Sequence, residues 1–262
     1  MSTPSPPRRR IVGVSTKMYF SFAQTTTYTD ALLSHLSTNP SLLNTLDVFI
    51  LPDLVSLTTV ISKLSAFSSQ HAGAPVLTGA QHAHSADHGA FTGEVSPSVL
   101  AEVGARILEI GHAERRRLFH ETDASAAERA AAAARNGLVP LVCVGERTRG
   151  SPDVAVAECA PQIASVVAAI PPDTELVLAY EPVWAIGAAE PADATHVVAV
   201  TRAVRELPCV RDRPGQTRIL YGGSAGPGLF AKLKEGVDGL FLGRFAHDPA
   251  QFWRTICEVA EA

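Results

Sequence analysis

The sequence predicts an α/β fold: a single (β/α)8 barrel whose sheet is all-parallel and closed. Three observations carry that reading. Eight short apolar runs alternate with stretches of helical periodicity, which implies parallel strands covered by helices. The 262 residues show no break in composition, and a barrel of this kind commonly occupies about 250 residues as one domain. Side chains with useful chemistry stand just after the strands, where a barrel gathers them on one face. A doubly wound open sheet is the alternative, but no Gly-x-Gly-x-x-Gly motif follows the first strand to support it.

Taken in order, Ile11-Val-Gly-Val14 is the first strand and ends at Ser15-Thr16-Lys17. Thr29 to Leu36 belongs to a helix. Asp47 to Leu51 is the second strand, stopped by Pro52, and Leu57 to Phe67 is helical in pattern. Pro75 to Gly79 is the third strand, followed by a long polar stretch. Ser96 to Val103 reads as a capped helix with Pro97 in its first turn. Arg106 to Ile110 is the fourth strand, stopped by Gly111-His112. Asp123 to Asn136 is an Ala-rich helix that Gly137 suits as a C-terminal cap. Leu138 to Val144 is the fifth strand and Val154 to Ala169 a helix. Leu176 to Ala179 is the sixth strand, and Ala192 to Glu206 is helical. Arg218 to Tyr221 is the seventh strand, ended by Gly222-Gly223-Ser224, with a short helix from Gly228 to Lys234. Gly239 to Leu242 is the eighth strand, ended by Gly243-Arg244, and a helix from Pro249 to Val259 closes the chain.

Composition excludes several classes. A net charge of −4 and a pI near 6.1 give no case for nucleic-acid or membrane binding. No apolar run is long enough to span a bilayer. Cys143, Cys159, Cys209 and Cys257 are scattered without paired spacing, which fits a reduced, cytoplasmic protein rather than a disulfide or zinc framework. Residues 1–10 hold Pro and Arg but no apolar core, so they read as a flexible tail ahead of a barrel domain at 11–262.

The sixth strand is the richest position. Proline cannot donate to a ladder, so the strand stops at Glu181-Pro182 and leaves a carboxylate at its tip. The segment that follows, through Trp184 to Gly187, is too apolar for an ordinary solvated loop and suits a lid. Lys17, His112 and Glu181 follow strands one, four and six. Singly, a Lys is ordinarily a surface charge, a His a satisfied polar group and a Gly-Gly-Ser a turn; together on one rim they point to a site. A carboxylate base, an imidazole and an ammonium around one cavity suit proton abstraction beside a carbonyl. Glu181 takes the carbon-bound proton, His112 bonds and shuttles protons between two oxygens, and Lys17 stabilises the enediolate. Glycine-rich turns after strands seven and eight offer N–H groups to a phosphate. The sum is an aldose–ketose isomerase of a small phosphorylated sugar, needing no metal or organic cofactor.

Ala179-Tyr-Glu-Pro-Val-Trp-Ala-Ile-Gly187, Ile110-Gly-His-Ala-Glu-Arg-Arg116, Gly79-Ala-Gln81, Gly89-Ala-Phe-Thr-Gly-Glu94, Cys143-Val-Gly-Glu146 and Ile219-Leu-Tyr-Gly-Gly-Ser224 together resemble the triosephosphate isomerase family, from strand one to the last helix. The resemblance implies a TIM barrel that interconverts dihydroxyacetone phosphate and glyceraldehyde 3-phosphate in glycolysis and gluconeogenesis. It also implies that Glu114 pairs with Lys17, that Ser224 and Gly187 bind phosphate, and that Tyr221 latches the lid. The family is dimeric, so loop 81–94 should enter a neighbouring subunit. Thr92 would then brace the partner's Lys17 and His112, and Glu94 would meet the partner's Arg115. His82, His84, Asp87 and His88 in that loop include metal-binding types, but a polar interface loop explains them better.

Departures from the family pattern mark the substrate end. Ser15 stands where the family has Asn, two residues before Lys17. Arg244 replaces the second Gly after strand eight, where close backbone approach to phosphate is needed; it either binds phosphate itself or points away. Ala113 replaces a Ser, and the trailing lid hinge is Ala188-Ala189-Glu190-Pro191. The triose substrate is the first expectation. A divergent isomerase of another small sugar phosphate, such as a tetrulose phosphate, is the second, favoured by Ser15 and Arg244. A non-catalytic barrel is the third, opposed by retention of Lys17, His112 and Glu181.

Overall fold

The computed structural model describes residues 9–71, 75–187 and 191–262. Eight parallel strands form one closed barrel in sequence order: β1 (Arg10–Ser15), β2 (Leu46–Leu51), β3 (Val76–Ala80), β4 (Ile107–Ile110), β5 (Val139–Val144), β6 (Leu176–Tyr180), β7 (Thr217–Tyr221) and β8 (Gly239–Leu242). Each lies within one residue of its expected run. Closure is made by β1 and β8, in register from Ile11 opposite Gly239 to Val14 opposite Leu242. A side chain at Gly239 would put its Cβ 1.6 Å from the Ile11 carbonyl oxygen, so glycine is what lets the seam shut. Closure disposes of the open-sheet alternative.

Strand alternation sorts the core in two. Ile11, Phe49, Ile107, Leu141, Val177, Leu220 and Phe241 fill the barrel lumen. The opposite faces pack Val12, Ile50, Leu108, Val142, Leu178 and Ile219 against the surrounding helices.

Those helices are α1 (Phe22–Thr38), α2 (Leu57–Gln70), α3 (Pro97–Glu102), α4 (Ala113–Leu118), α5 (Asp123–Arg135), α6 (Pro152–Ala169), α7 (Ala194–Glu206), α8 (Pro208–Arg211), α9 (Phe230–Leu233) and α10 (Pro249–Glu261). Helix α1 starts well before its expected residues because Ser21 and Gln24 form a capping box. Helix α4 was not expected at all. It buries none of its residues, so no apolar period announces it; His112 caps it instead by accepting from the Glu114 N–H.

Residues 1–8 of the expected tail lie outside the described residues. Arg9 binds Asp47 at 2.6 Å, and Arg10 opens β1. Among the described residues no helix is long and apolar enough to cross a membrane, and all four cysteines are free thiols.

Candidate active site

Inward-facing parity and strand ends carry the chemical groups to the C-terminal mouth of the barrel. A cavity of about 730 Å³ opens there, lined by Ser15, Lys17, His112, Glu114, Glu181, Gly187, Ser224, Gly243 and Arg244. Tyr221 and Thr92 do not line it.

Lys17 follows β1 with its backbone in the left-handed region, φ +50°. Such a conformation costs a non-glycine residue on the order of 1 kcal/mol and must be held. Gln81 does so, donating from Nε2 to the Lys17 carbonyl at 3.1 Å. The ammonium binds Glu114 Oε1 at 2.6 Å, as the resemblance implied. Burial alone would pull the lysine down, but Glu114, with Glu181 and Glu109 behind it, leaves it above its ordinary pKa. It stays charged.

His112 Nδ1 accepts from the Glu114 N–H at 3.1 Å. That bond leaves the proton on Nε2, facing the cavity. Burial, with the charge of Lys17, pushes the imidazole down to about 4, so the ring is a neutral donor. Nε2 stands 3.5 Å from Glu181 Oε2.

Glu181 is 3% exposed, and its Oε2 has no hydrogen-bond partner. Its carboxyl packs on Gly222, where an added Cβ would fall 2.5 Å from Oε1. Burial first, then the charge of Glu109, pushes it up to about 8 against the pull of Lys17. A buried carboxyl facing a cavity with an orphan oxygen has the properties of a strong base once ionised.

Both flanks of the segment expected to form a lid are tied. Trp184 Nε1 donates to the buried Glu146 at 2.8 Å, and Tyr221 accepts from the Ala192 N–H at 3.0 Å. The hinge residues 188–190 lie outside the described residues.

Arg244 does not occupy the left-handed region, so it suffers none of the strain expected for a side chain after β8. Its guanidinium reaches across the cavity, with Nη2 3.7 Å from where a Cβ of Gly187 would lie. It points into the cavity toward Gly187 rather than away from it.

Loop 81–94 has its own partners within the chain. His82 contacts Glu94 at 3.2 Å and Arg115 Nη2 at 3.3 Å, and His84 stacks on Phe91. Asp87 is taken by Arg135 and Asn136. Among the described residues no group of three or more His, Cys, Asp or Glu is placed to hold a metal ion.

Sequence reading missed Glu109. It reads as one residue of a strand, and only its parity with Ile107 would have shown that it faces the lumen.

Fold and relatives define an enzyme: an isomerase of the aldose–ketose type, an intramolecular oxidoreductase built on a (β/α)8 barrel. The chain belongs to the triosephosphate isomerase family, whose model matches residues 10–260. It is 45% identical to an L-erythrulose-1-phosphate isomerase of Pectobacterium atrosepticum, over 94% of this chain and 93% of the relative. A Mesorhizobium japonicum protein of the same name is 34% identical over 90% and 91%. A triosephosphate isomerase of Leifsonia xyli is 42% identical over 68% and 71%.

Proposed function

We propose that this chain isomerises a four-carbon ketose phosphate such as L-erythrulose 1-phosphate, in place of the triose phosphate that its motifs first suggest. One observation carries the choice. Almost end to end the chain is 45% identical to a protein named for that sugar, against 35% over a similar span for a triosephosphate isomerase of Chloroflexus aurantiacus. Ser15 and Arg244, the departures at the substrate end, agree with it.

The chemistry is the enediol proton transfer of an aldose–ketose isomerase moved one carbon along, so that its product is a second ketose phosphate. In a 2-ketose 1-phosphate, C1 carries the ester oxygen and no free hydroxyl, so the carbonyl moves between C2 and C3. Glu181 takes the C3 proton and returns it at C2. Neutral His112 donates from Nε2 to the carbonyl oxygen and passes protons between the two oxygens. Lys17 offsets the charge of the enediolate in a site that excludes water. Ser224, the Gly187 and Gly243 backbone and the Arg244 guanidinium bind the phosphate, and Ser15 faces the sugar. Tyr221 latches the lid. None of these steps calls on a metal or organic cofactor.

The barrel at 11–262 acts as one domain, in the cytoplasm, as a homodimer through loop 81–94. Each Thr92 then braces Lys17 and His112 of the other copy. Light scattering of the purified protein should return the mass of two chains; a monomer that is fully active would end the dimer reading. The triose substrate, with its glycolytic and gluconeogenic placement, is the second reading, favoured by the intact segment Ala179 to Gly187.

Steady-state kinetics on both sugars separates the readings. L-erythrulose 1-phosphate should exceed glyceraldehyde 3-phosphate in kcat/KM by about 100-fold or more. The reverse order would return the chain to the triose reaction.

A further inference from the structure

Glu109 has no part in the reaction as described, yet it sits beneath it. It is the third residue of β4, faces the lumen and is 5% exposed. Its carboxyl makes one hydrogen bond among the described residues, accepted by Oε2 from Ser15 Oγ at 3.4 Å. Strands β1 and β4 are separated by β2 and β3. The two side chains therefore meet across the lumen, Ser15 lining the cavity and Glu109 standing behind it.

A substrate held by its phosphate between Gly187, Ser224 and Arg244 has its reacting carbons between Glu181 and His112. Its remaining carbon must lie on the other side of those carbons from the phosphate. Ser15, with Glu109 behind it, offers that carbon a polar surface inside the lumen. A buried carboxyl is ordinarily well bonded, and this one has a single long bond. Burial, opposed by Lys17, pushes it up to about 8. In its neutral form the carboxyl both donates and accepts, which is what a substrate hydroxyl requires.

We propose that the Ser15–Glu109 pair binds the terminal hydroxymethyl group of a four-carbon substrate and so selects it over a three-carbon one. The inference rests on the four-carbon reading above and makes Glu109 a specificity-determining residue rather than the base. A three-carbon sugar leaves the pair with long contacts alone, 3.4 Å to each other and 3.4 Å from the Lys17 N–H to Ser15 Oγ. The four-carbon sugar inserts a hydroxyl that satisfies both members.

Kinetics of Glu109→Leu, Glu109→Gln and Ser15→Ala test it, on L-erythrulose 1-phosphate and on glyceraldehyde 3-phosphate, with inorganic phosphate as competing inhibitor. Glu109→Leu should lower the four-carbon to three-carbon ratio of kcat/KM by about 10–100-fold, mostly through KM. Ser15→Ala should lower the ratio in the same direction, and Glu109→Gln should keep much of it. The phosphate inhibition constant, which reads the other corner, should move by less than about threefold. Equal losses on both sugars, or an unchanged ratio, would overturn the inference and leave the four-carbon reading standing. A wild type inactive on the four-carbon phosphate would overturn both. Thermal melting shows which variants fold, and Glu109→Gln and Ser15→Ala decide the matter should Glu109→Leu be unfolded.

Discussion

At the N-terminal end of the lumen, Arg218 is 4% exposed and binds Asp47 and Glu175; Asp47 in turn binds Arg9. At the C-terminal end, Glu181 and Glu109 are as deeply buried, but one carboxylate oxygen of Glu181 has no hydrogen bond and Glu109 has one long one. Both ends place charge in a low dielectric, which is costly unless it is compensated. The lower end compensates with opposed charges at hydrogen-bonding distance and leaves little but Arg218 Nε unpaired. The upper end holds its carboxyls neutral and underbonded beside a cavity. One end therefore holds the barrel together, and the other keeps bonding capacity in reserve for a substrate.

The largest effect should come from Glu181→Gln. Removing the base should cut turnover by about 10³–10⁴-fold, while the melting temperature stays level or rises because a buried acid has gone. A variant that keeps its activity breaks the contrast between the ends. At the other end, Arg218→Met strips two carboxylates of their partner. It should cost about 3–5 kcal/mol in urea unfolding while kcat per folded molecule changes by less than about threefold. Loss of activity beyond the loss of folded protein would mean that the lower end also serves catalysis.

Proton linkage sharpens the comparison. Glu109 and Glu181 face Lys17, Glu114 and Cys143, and both are pushed up to about 8 from 4.5. In the unfolded chain both ionise near 4.5, so above that pH the unfolded state binds fewer protons than the fold. Stability should then fall as pH rises from 4.5 to about 8, and the fall should shrink by at least half in Glu109→Gln, which also removes a charge that raises Glu181. In the free enzyme kcat/KM should climb over the same upper range, as Glu181 gives up its proton. Denaturation and rate profiles measured from pH 5 to 9 check both; opposite slopes would refute the neutral-carboxyl description. The smallest effect expected is at the rim. Arg244→Ala removes a charge-assisted contact and should raise KM about 10–100-fold with less change in kcat.

Much of this was legible in the sequence because barrel physics is local. Each strand needs only a short apolar run, and each strand-end residue only its place after one, so the sequence alone sets Lys17, His112 and Glu181 on one rim. Helix α4 was hidden because it owes its existence to a His112 cap rather than to buried apolar residues. Glu109 was hidden because contact across the lumen depends on strand order and stagger, which no local pattern encodes. Whether Arg244 faces its cavity was likewise a matter of loop geometry, not of residue type. Substrate size was not legible for a related reason: the motifs that carry the resemblance place the chain in a family whose members are named for triose phosphate and for L-erythrulose 1-phosphate alike.

The central claim is that Glu181 moves a carbon-bound proton of a small sugar phosphate. Isomerisation of L-erythrulose 1-phosphate in D2O, followed by NMR for wild type and Glu181→Gln, tests it most directly. The account predicts deuterium entering at carbon during turnover by the wild type, and loss of both exchange and conversion in the variant. Conversion that proceeds equally well in Glu181→Gln, with no deuterium on carbon in either protein, would contradict it.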